Sequence, residues 1–570
     1  MLRIRNKGGL IVLALLTLGV AAATATAGSG KAREYVVLYA EGTSAAEGAK
    51  AVEAAGGDVV SVNKAIGLAT VRSHKSDFVA RIGRQDALQG AALDRAIGHA
   101  PKLQRARQRD IERVEKARAA VTGRTAAKEK PAAGGDPLSG RQWDMRMIGA
   151  TPDGSYAKQR GSHDVLVGVM DTGIDAAHSD IAPNFMADLS RNFTTDDELV
   201  DGPCAEEPDR SCSDPSSVDE GGHGTHVAGI IGAALNGRGI AGVAPDVGLV
   251  NLRAGQDSGY FFLQPTVDAL TYAGDNGIDV VNMSFYIDPW LFNCAANPAD
   301  SPAEQLQQRT IIEATQRALK YARDHGVTLI AAEGNGHTDL GKPEFDDTSP
   351  DYPPEAGPRE RTVDNSCLSM PTEGRGVIGV TSVGPSKRKA YYSDYGLEQA
   401  DVSAPGGDAR DPARPAPQNR ILAPYPDAAG AAAAANPQSA PNIVHENGNY
   451  WAWLQGTSMA APHATGVAAL IVGEYGRRDR EHDGLTLDPD KVERVLLGTA
   501  TNTPCPEPRE FHYPEDTAGT FDATCEGSRD RNGFYGDGIV NADKAVRKTH
   551  RRAPARPAGR AGVHTTITAR

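Results

Sequence analysis

The order of apolar segments predicts an α/β fold in which a parallel sheet carries helices on both faces. Short apolar runs such as 165–170 alternate with helical patterns such as 310–326 throughout residues 142–546. Strands buried on both faces are apolar along their length, and intervening helices let neighbouring strands run parallel. Ligands of such sheets bind at the carboxyl ends of the strands, so polar residues that follow an apolar run are candidates for a site.

The individual elements can be placed from periodicity and from Gly, Pro and polar boundaries. Near the N-terminus, residues 33–84 predict a compact α/β unit with strands in 34–40 and 58–73, a turn at Gly67, and helices in 43–56 and 75–84. The larger region predicts strands within 165–170, 239–254, 278–285 and 327–335, and helices within 223–235, 265–277, 310–326 and 457–473.

Three short segments carry an acid, an imidazole and a hydroxyl in a fixed order. They are VGVMDTGID with Asp171, GGHGTHVAG with His223, and GTSMAAPH with Ser458. An imidazole can take the proton of a serine while a carboxylate holds the imidazole in the correct tautomer. Each residue taken alone has a plain structural reading, because Ser458 could cap its helix and Asp171 could form a turn at the end of its strand.

The order Asp–His–Ser and the flanking residues resemble the subtilisin-like serine peptidases, the subtilase family. The α/β-hydrolases run serine, acid, histidine, and GTSMA has Ala460 where their motif ends in glycine. The resemblance extends over about residues 142–546, and LIAAEGNGH places Asn335 where the family keeps its oxyanion-hole asparagine. It implies a subtilisin-like parallel sheet preceded by a small α+β, ferredoxin-like prodomain. It also implies helices within 142–150, 492–502 and 535–546, which resemble the family's first and last helices.

The resemblance also implies a role for each motif residue and two walls for a substrate cleft. Ser458 is expected to be the nucleophile, His223 the general base and Asp171 its partner, while His226 and Asp175 are neighbours without a catalytic role. The expected walls for an extended peptide consist of Ser284, Phe285 and Tyr286 on one side and Asp257, Ser258 and Gly259 on the other.

Two positions in this region depart from the family pattern. Tyr286 stands where a glycine is usual, and Glu333 replaces a small residue just before Gly334 and Asn335. A bulky Tyr286 would narrow the cleft. Glu333 would favour basic substrate side chains if its carboxylate faced the cleft, or would have no such effect if it pointed into the sheet.

The N-terminal segments predict an exported precursor. A basic start, an apolar run over 10–23 and the small residues of 25–27 form a cleavable signal peptide, and no later segment predicts a stable membrane anchor. We expect a cut within 125–140 to release the prodomain, which would act as an intramolecular inhibitor. The predicted organisation is a signal peptide (1–27), a prodomain (28–100), a charged helix and linker (101–140), a peptidase domain (141–548) and a basic disordered tail (549–570).

Overall charge and composition fit a secreted globular protein. The 570 residues carry a net charge of −13, which argues against a general nucleic-acid binder. Residues 101–130 form the exception, with ten basic and four acidic residues, and such a run usually forms a solvated helix face. We expect an extracellular monomer that acts on protein or peptide substrates.

The six cysteines all follow residue 200, and an even number in an exported chain indicates disulfides. Many pairings are open, and we favour the nearest-neighbour pairs because each encloses loop-like sequence: Cys204–Cys212, Cys294–Cys367 and Cys505–Cys525. Neither CxxC nor HExxH spacing occurs, so no catalytic metal is expected. The chemistry needs no cofactor, whereas structural calcium, common among relatives, is possible with no ligands assignable.

Three stretches read as insertions in a compact peptidase domain: about 286–309, 337–370 and 407–448. The third includes the low-complexity segment AAGAAAAANPQSAP, which we interpret as a surface loop.

Two other functions compete with that of a self-processing serine endopeptidase. One is a non-catalytic binding protein on a peptidase scaffold, and the other is an esterase-like acyl hydrolase.

Overall fold

The computed structural model describes residues 32–95, 130–207, 210–352 and 357–547. The predicted signal peptide, nearly all of the charged helix and the basic tail lie outside these residues. Within them, no helix has both the length and the apolar character needed to cross a bilayer.

The N-terminal unit is a four-stranded antiparallel sheet with two helices, in the order strand–helix–strand–strand–helix–strand. Its elements are β1 (Arg33–Tyr39), α1 (Ala45–Ala55), β2 (Asp58–Asn63), β3 (Leu68–Ser73), α2 (Phe78–Ile82) and β4 (Leu88–Arg95). The strand order β2-β3-β1-β4 is that of a ferredoxin-like unit. Helix α1 starts at a capping box between Ser44 and Glu47 and ends at Gly56, whose φ is 91°. The sequence analysis predicted the first five elements but not β4.

The larger domain alternates strands and helices as predicted. Its helices are α3 (Trp143–Ile148), α4 (His223–Gly232), α5 (Leu263–Asp275), α6 (Pro302–Asp324), α7 (Asp427–Ala435), α8 (Thr457–Tyr475), α9 (Pro489–Thr499) and α10 (Ala542–Ala545). Its strands are β5 (Leu166–Met170), β6 (Arg191–Asn192), β7 (Gly248–Arg253), β8 (Val280–Met283), β9 (Thr328–Ala332), β10 (Phe345–Asp346), β11 (Arg361–Thr362), β12 (Val377–Val383), β13 (Val402–Pro405), β14 (Ile421–Tyr425), β15 (Ile443–Glu446), β16 (Asn449–Leu454), β17 (Arg477–Asp479), β18 (Gly484–Thr486), β19 (Glu510–Phe511) and β20 (Ala523–Thr524).

Seven of these strands form one sheet, in the order β13-β12-β9-β8-β5-β7-β6, and each neighbouring pair is parallel. One face packs on α4 and α8 through side chains such as Val167 and Val169. The other packs on α5 and α6 through side chains such as Val281 and Met283. The prediction of a parallel sheet covered on both faces is therefore confirmed.

The N-terminal sheet docks on α5 and α6, and the two units share a buried apolar cluster that includes Leu68 and Ile311. The Arg317 guanidinium donates to the Tyr39 carbonyl oxygen at 2.9 Å. The Asn63 amide donates to Asp268 at 2.7 Å, which adds a second polar contact across the interface. This surface lies on the face of the sheet opposite α8, the helix that carries Ser458.

Two insertions contain more regular structure than predicted. Helix α6 begins at Pro302, eight residues before the predicted start, because Ser301 and Glu304 form a capping box. The stretch 407–448 is not a simple loop: β14, β15 and β16 form a small antiparallel sheet, and the alanine run forms α7. Helix α7 packs on β16, where a Cβ on Gly430 would lie 2.5 Å from the Tyr450 side chain.

Residues that precede the predicted boundary at residue 141 also pack on the large domain. Asp136 and Leu138 are buried, and the Leu138 amide donates to the Gly239 carbonyl oxygen at 2.9 Å. Leu138 belongs to an apolar cluster with Ile240 and Trp451. The Pro- and Gly-rich segment predicted as a linker therefore ends in residues that pack on the large domain.

The six cysteines form the three nearest-neighbour pairs Cys204–Cys212, Cys294–Cys367 and Cys505–Cys525. The second pair joins the insertions at 286–309 and 337–370. Arg361 adds an ionic connection between them, since its fully buried guanidinium contacts Asp300 at 2.9 Å and Asp346 at 2.5 Å. The same guanidinium lies over the Trp290 ring, 4.6 Å from its centroid.

Replacing Arg361 with methionine is expected to lower the free energy of unfolding by about 3–5 kcal/mol, because it leaves the buried Asp346 without its cation and removes one of the two cations beside Asp300. Arg359→Met is the matched control: Arg359 also contacts Asp300, but it is 36% exposed, so its loss should cost about 1 kcal/mol or less. Denaturant unfolding of both variants measures the difference. Equal losses would show that burial of Arg361 does not set its contribution.

Candidate active site

A cleft of about 570 Å³ lies at the carboxyl ends of the central strands. Strands β5, β8 and β9 end at residues 170, 283 and 332, and the residues that follow them line or border this cleft. His223, Ser458 and Asn335 all line it. The sheet thus brings together residues that are far apart in the sequence, at the position expected of a ligand site in a parallel sheet.

Asp171 and His223 form a direct pair. Asp171 follows β5 and is fully buried, and its Oδ1 lies 2.7 Å from Nδ1 of His223, the first residue of α4. The Thr172 amide donates to the same oxygen at 2.8 Å. A carboxylate oxygen accepts hydrogen bonds, so Nδ1 carries the proton in this pair and Nε2 is the basic nitrogen.

A buried carboxylate, Asp219, fixes the start of α4 beside this pair. It accepts hydrogen bonds from the Gly222 amide at 2.8 Å and the Thr225 amide at 2.9 Å, and from the Thr172 hydroxyl at 3.0 Å. A Cβ on Gly224 would lie 2.1 Å from the Gly173 carbonyl oxygen, so only glycine allows the helix to approach the strand end so closely. No motif in the sequence identifies Asp219.

His226 and Asp175, the neighbouring histidine and acid in the same motifs, lie in other environments than His223 and Asp171. His226 is fully buried, and its Nε2 lies 3.0 Å from the Ala452 carbonyl oxygen. Burial lowers the pKa of His226 to about 3, so this ring is neutral. Asp175 accepts a hydrogen bond from the Ala177 amide at 2.9 Å, a turn contact, and its own amide donates to Thr225.

Ser458 lies in the first turn of α8, and its side chain is part of the cleft lining. Its Oγ donates to the Ser284 carbonyl oxygen at 3.1 Å, and the Ser284 hydroxyl donates to the Ser458 carbonyl oxygen at 3.2 Å. The N-terminus of an α-helix presents backbone N–H groups without intrahelical partners. The hydroxyl therefore stands beside donors that can stabilise negative charge.

Asn335 is oriented by the residue before Ser458. Its Oδ1 accepts hydrogen bonds from the Thr457 amide at 2.9 Å and from the Thr457 hydroxyl at 3.0 Å. These bonds assign Oδ1 as the accepting end of the amide, so Nδ2 is the donating end. Asp394 stabilises the loop that follows β9 and carries Asn335. The Asp394 amide donates to the Gly334 carbonyl oxygen, and its Oδ1 accepts from the Thr338 amide at 2.6 Å.

The predicted substrate walls both line the cleft. Ser258 and Gly259 lie on one side, and Ser284, Phe285 and Tyr286 on the other. The Phe285 ring stacks on Phe261 with centroids 4.0 Å apart. The Tyr286 hydroxyl donates to Asp351 at 2.8 Å, so the side chain that replaces the usual glycine is anchored to the insertion at 337–370.

Glu333 is buried between strands although it borders the cleft. The residue is 1% exposed, and a Cβ on Gly379 of β12 would lie 1.9 Å from its Oε1. The carboxylate therefore packs against the backbone of β12. Gly379 is required here because any side chain would occupy the space of Glu333.

Other parts of the cleft were not identified from the sequence. Ser369 and Thr372 come from the segment before β12, while Tyr425, Ala433 and Ser439 come from the insertion at 407–448. The Thr372 hydroxyl donates to the carbonyl oxygen of Ala332, the last residue of β9. Only tertiary contacts bring these residues to the cleft, since none carries a local motif.

Two groups of side chains among the described residues have the proximity that a metal ion needs. One combines Glu198 with Cys204 and Cys212, but these cysteines form a disulfide and do not offer thiolates. The other is a carboxylate cluster of Asp196, Glu207 and Asp257 beside the cleft. Neither group touches the Asp171–His223 pair.

A model of the subtilase family of peptidases matches residues 162–526, which is more than half of the chain. The chain therefore belongs to the subtilase family, and it is a subtilisin-like serine peptidase.

Relatives and solved structures agree with this family. Subtilisin DY of Bacillus licheniformis is 27% identical over 342 residues, which cover 59% of this chain and 84% of that protein. The thermophilic serine proteinase of Bacillus sp. (strain AK1) is 26% identical over 61% of each chain. The structure of the epidermin leader peptide processing serine protease from Staphylococcus aureus aligns with a TM-score of 0.59 at 20% identity, covering 91% of this chain and 98% of that one, which shows a common fold.

Proposed function

We propose that this chain is a secreted serine endopeptidase whose catalytic triad consists of Asp171, His223 and Ser458, made as a zymogen that processes itself. The observation that carries the proposal is the 2.7 Å contact between Asp171 and His223 in the cleft that Ser458 also lines. The N-terminal signal pattern supports export, and membership of the subtilase family supports the reaction.

The reaction follows from the roles of these groups. Ser458 Oγ attacks the carbonyl carbon of a peptide bond while His223 Nε2 takes the hydroxyl proton. Asp171 stabilises the resulting imidazolium and keeps Nδ1 protonated. The imidazolium then protonates the leaving amine, an acyl-enzyme forms, and water releases it by the same sequence in reverse.

Asn335 Nδ2 and the Ser458 backbone N–H are the proposed donors to the oxyanion. The two bonds from Thr457 to Asn335 Oδ1 support this role, because they hold the donating end of the amide in a defined orientation. A donor positioned in advance stabilises the charge of the tetrahedral intermediate without reorganisation.

Asn335→Ala is expected to lower kcat by about 10²–10³-fold with little change in KM, a magnitude that comes from subtilisin, a member of the same family. Steady-state hydrolysis of a chromogenic peptide measures both constants. Asn276→Ala, at the end of α5 and away from the cleft, is the control. A rise in KM at unchanged kcat would mean that Asn335 contacts the bound substrate and not the oxyanion.

Substrates are proposed to be proteins or peptides bound in an extended conformation. A strand placed between Ser258–Gly259 and Ser284–Tyr286 can make main-chain hydrogen bonds to both walls. This binding mode favours peptides over simple esters, because a simple ester lacks the flanking N–H and C=O groups with which a strand bonds to the two walls.

The N-terminal unit is proposed to be the inhibitory prodomain. Its docking on α5 and α6, through Arg317 and Asn63, supports an intramolecular role during folding and inhibition. Because Asp136 and Leu138 pack on the large domain, a cut before residue 136 would separate the two units without removing buried residues of the peptidase.

A serine-directed phosphonate tests the proposed activity. Labelling of the secreted protein at Ser458 would separate a peptidase from a non-catalytic binding protein. Comparing the turnover of peptides and esters by the unlabelled protein would separate an endopeptidase from an acyl hydrolase. The proposal fails if the folded, processed protein takes up no label and cleaves no peptide.

A further inference from the structure

The loop that carries Asn335 has an unusual backbone on both sides of that residue. Gly334 has a φ of 118°, and a Cβ there would lie 2.3 Å from Oδ2 of Asp394. His337, two residues after Asn335, has a φ of 58°, in the left-handed region that residues with a side chain seldom adopt. Such a conformation persists only where the surrounding structure holds it, and it is found most often beside functional groups. The contacts of His337 therefore show what holds this loop.

The amide and both ring nitrogens of His337 have partners from other segments. The amide donates to the Tyr392 carbonyl oxygen at 2.8 Å. Nε2 lies 3.2 Å from the backbone carbonyl oxygen of Asp522, which can only accept, so Nε2 carries the proton. Nδ1 is then an acceptor, and it lies 3.3 Å from Nζ of Lys389. Burial, and then the charge of Lys389, lower the pKa of His337 to about 4, so the ring is neutral as this assignment requires.

Lys389 is a buried amino group that takes no part in the triad. The residue is 1% exposed, and its Nζ donates to the carbonyl oxygens of Ser393 at 2.7 Å and Ala390 at 3.2 Å. Its backbone forms an antiparallel bridge with Val383, the last residue of β12. The amino group is therefore fixed to the central sheet, and the bond to His337 connects it to the loop of Asn335.

The charge state of Lys389 does not decide whether this bond can form. Burial lowers the pKa of Lys389 to about 7, whereas the carboxylates of Asp394 and Asp408 act in the opposite direction. The amino group is therefore close to its titration midpoint at neutral pH. An ammonium group has three N–H donors and a neutral amine has two, so Nζ can donate to His337 in either form.

We propose that Lys389 and His337 are positioning residues, which hold the loop so that Asn335 Nδ2 points at the oxyanion of the tetrahedral intermediate. This inference rests on the proposed function, in which Asn335 is an oxyanion donor. Thr457 fixes Asn335 from the side of α8 through two bonds to Oδ1. Lys389 and His337 fix the following residues of the loop from the side of β12. A donor held from two rigid elements stabilises the developing charge without reorganisation.

The test compares Lys389→Met with Lys389→Gln, both expressed as the full chain. Methionine removes the donor and keeps an unbranched side chain, whereas glutamine keeps an N–H donor near the end of the side chain. Arg410→Met is the matched control, because the half-buried Arg410 guanidinium lies over the rings of Tyr391 and Phe521, 4.4 and 4.3 Å from their centroids, in the same region.

Kinetic constants are measured per active site. The intact mass of each variant shows whether the N-terminal unit has been lost, and titration with the serine-directed phosphonate counts the active sites. Hydrolysis of a chromogenic peptide then gives kcat and KM, and calorimetry gives Tm. A role in stability alone would lower Tm and the number of active sites and would leave kcat per site unchanged.

Lys389→Met is expected to lower kcat about 10²-fold with little change in KM, because a displacement of about 1 Å in a catalytic group has an effect of that size. The oxyanion exists only after attack, so substrate binding should not need the donor. Lys389→Gln should keep more of kcat than Lys389→Met, and Arg410→Met should keep the parent's kcat. Equal losses for methionine and glutamine would overturn the role of the hydrogen bond.

A double-mutant cycle with Asn335→Ala decides whether Lys389 acts through Asn335. In a chain that already carries Asn335→Ala, Lys389→Met should lower kcat little further, because the group that it positions is gone. The same factor in both backgrounds would overturn the proposal, since Lys389 would then act by another route. An unaltered kcat of Lys389→Met in an active parent would overturn it as well.

His337→Asn provides a second variant that retains the buried amino group. Asparagine adopts a positive φ more readily than most residues, but its short side chain does not reproduce the ring contacts. This variant should lower kcat as Lys389→Met does, and it carries the same cycle if Lys389→Met does not fold. A parent that cleaves no peptide, or an unaltered kcat of Asn335→Ala, would instead overturn the proposed function and this inference with it.

Discussion

Replacing Ser458 with alanine is expected to stop peptide hydrolysis and to leave the N-terminal unit attached to the chain. The alanine keeps the first turn of α8 but removes the only atom that we propose to attack the substrate. The expected loss in kcat is on the order of 10⁶-fold, the size found for the nucleophile of subtilisin. The intact mass of the purified protein measures processing, and a peptide assay measures turnover.

Ser403→Ala is a matched control, because Ser403 is a buried serine of β13 in the same sheet. This variant should lose the N-terminal unit like the unaltered chain, with a new N-terminus before residue 136. If Ser458→Ala also loses that unit, another protease matures the chain, and self-processing is wrong. If it also cleaves peptides at the unaltered rate, Ser458 is not the nucleophile.

The central sheet could be predicted because its strands are buried on both faces. Runs at 165–170 and 278–285 predicted β5 and β8, which the structure places at Leu166–Met170 and Val280–Met283. A strand in the centre of this sheet needs apolar side chains on both of its faces, so a short run of consecutive apolar residues is enough to predict it. Helix α6 was predicted over its amphipathic part only, because polar side chains of its first turns, such as Gln305 and Gln308, bond to the loop that precedes the helix.

The elements that were missed depend on distant contacts. The composition of the alanine run is compatible with a helix or with irregular structure. In the fold it packs on β16, and this contact stabilises the helix α7. Strand β4 was missed because it pairs with β1 and packs on α6 and α2, and none of these partners is visible in its own residues. Local patterns do not report such partners.

The candidate site divides in the same way. Motif residues such as Asp171, His223 and Ser458 could be named because small neighbours and fixed order accompany them. Asp219 could not, because an acidic residue in a polar loop reads as solvated until the fold buries it. Its environment comes from chain segments far apart in the sequence.

Asp171→Asn is expected to lower kcat by about 10⁴-fold while the fold is retained. The asparagine can occupy the same buried space, but the group that it places at the position of Oδ1 faces both the Thr172 amide and Nδ1 of His223, so an NH₂ group there gives up the Thr172 bond. If its NH₂ group faces His223, Nδ1 must accept instead of donate, and the proton moves to Nε2. An imidazole protonated at Nε2 cannot take the proton of Ser458, so the base is lost although every heavy atom stays in place.

Asp175→Asn provides the comparison, because Asp175 lies four residues later and contacts only turn and helix-start groups in the described structure. We expect an unaltered kcat for this variant. The free energy of unfolding should stay within about 1 kcal/mol of the parent's for both variants. Labelling by the serine-directed phosphonate should slow in parallel with kcat for Asp171→Asn, since both reactions need the same base. A fall in peptide turnover without slower labelling would place Asp171 in substrate binding and not in activation of Ser458.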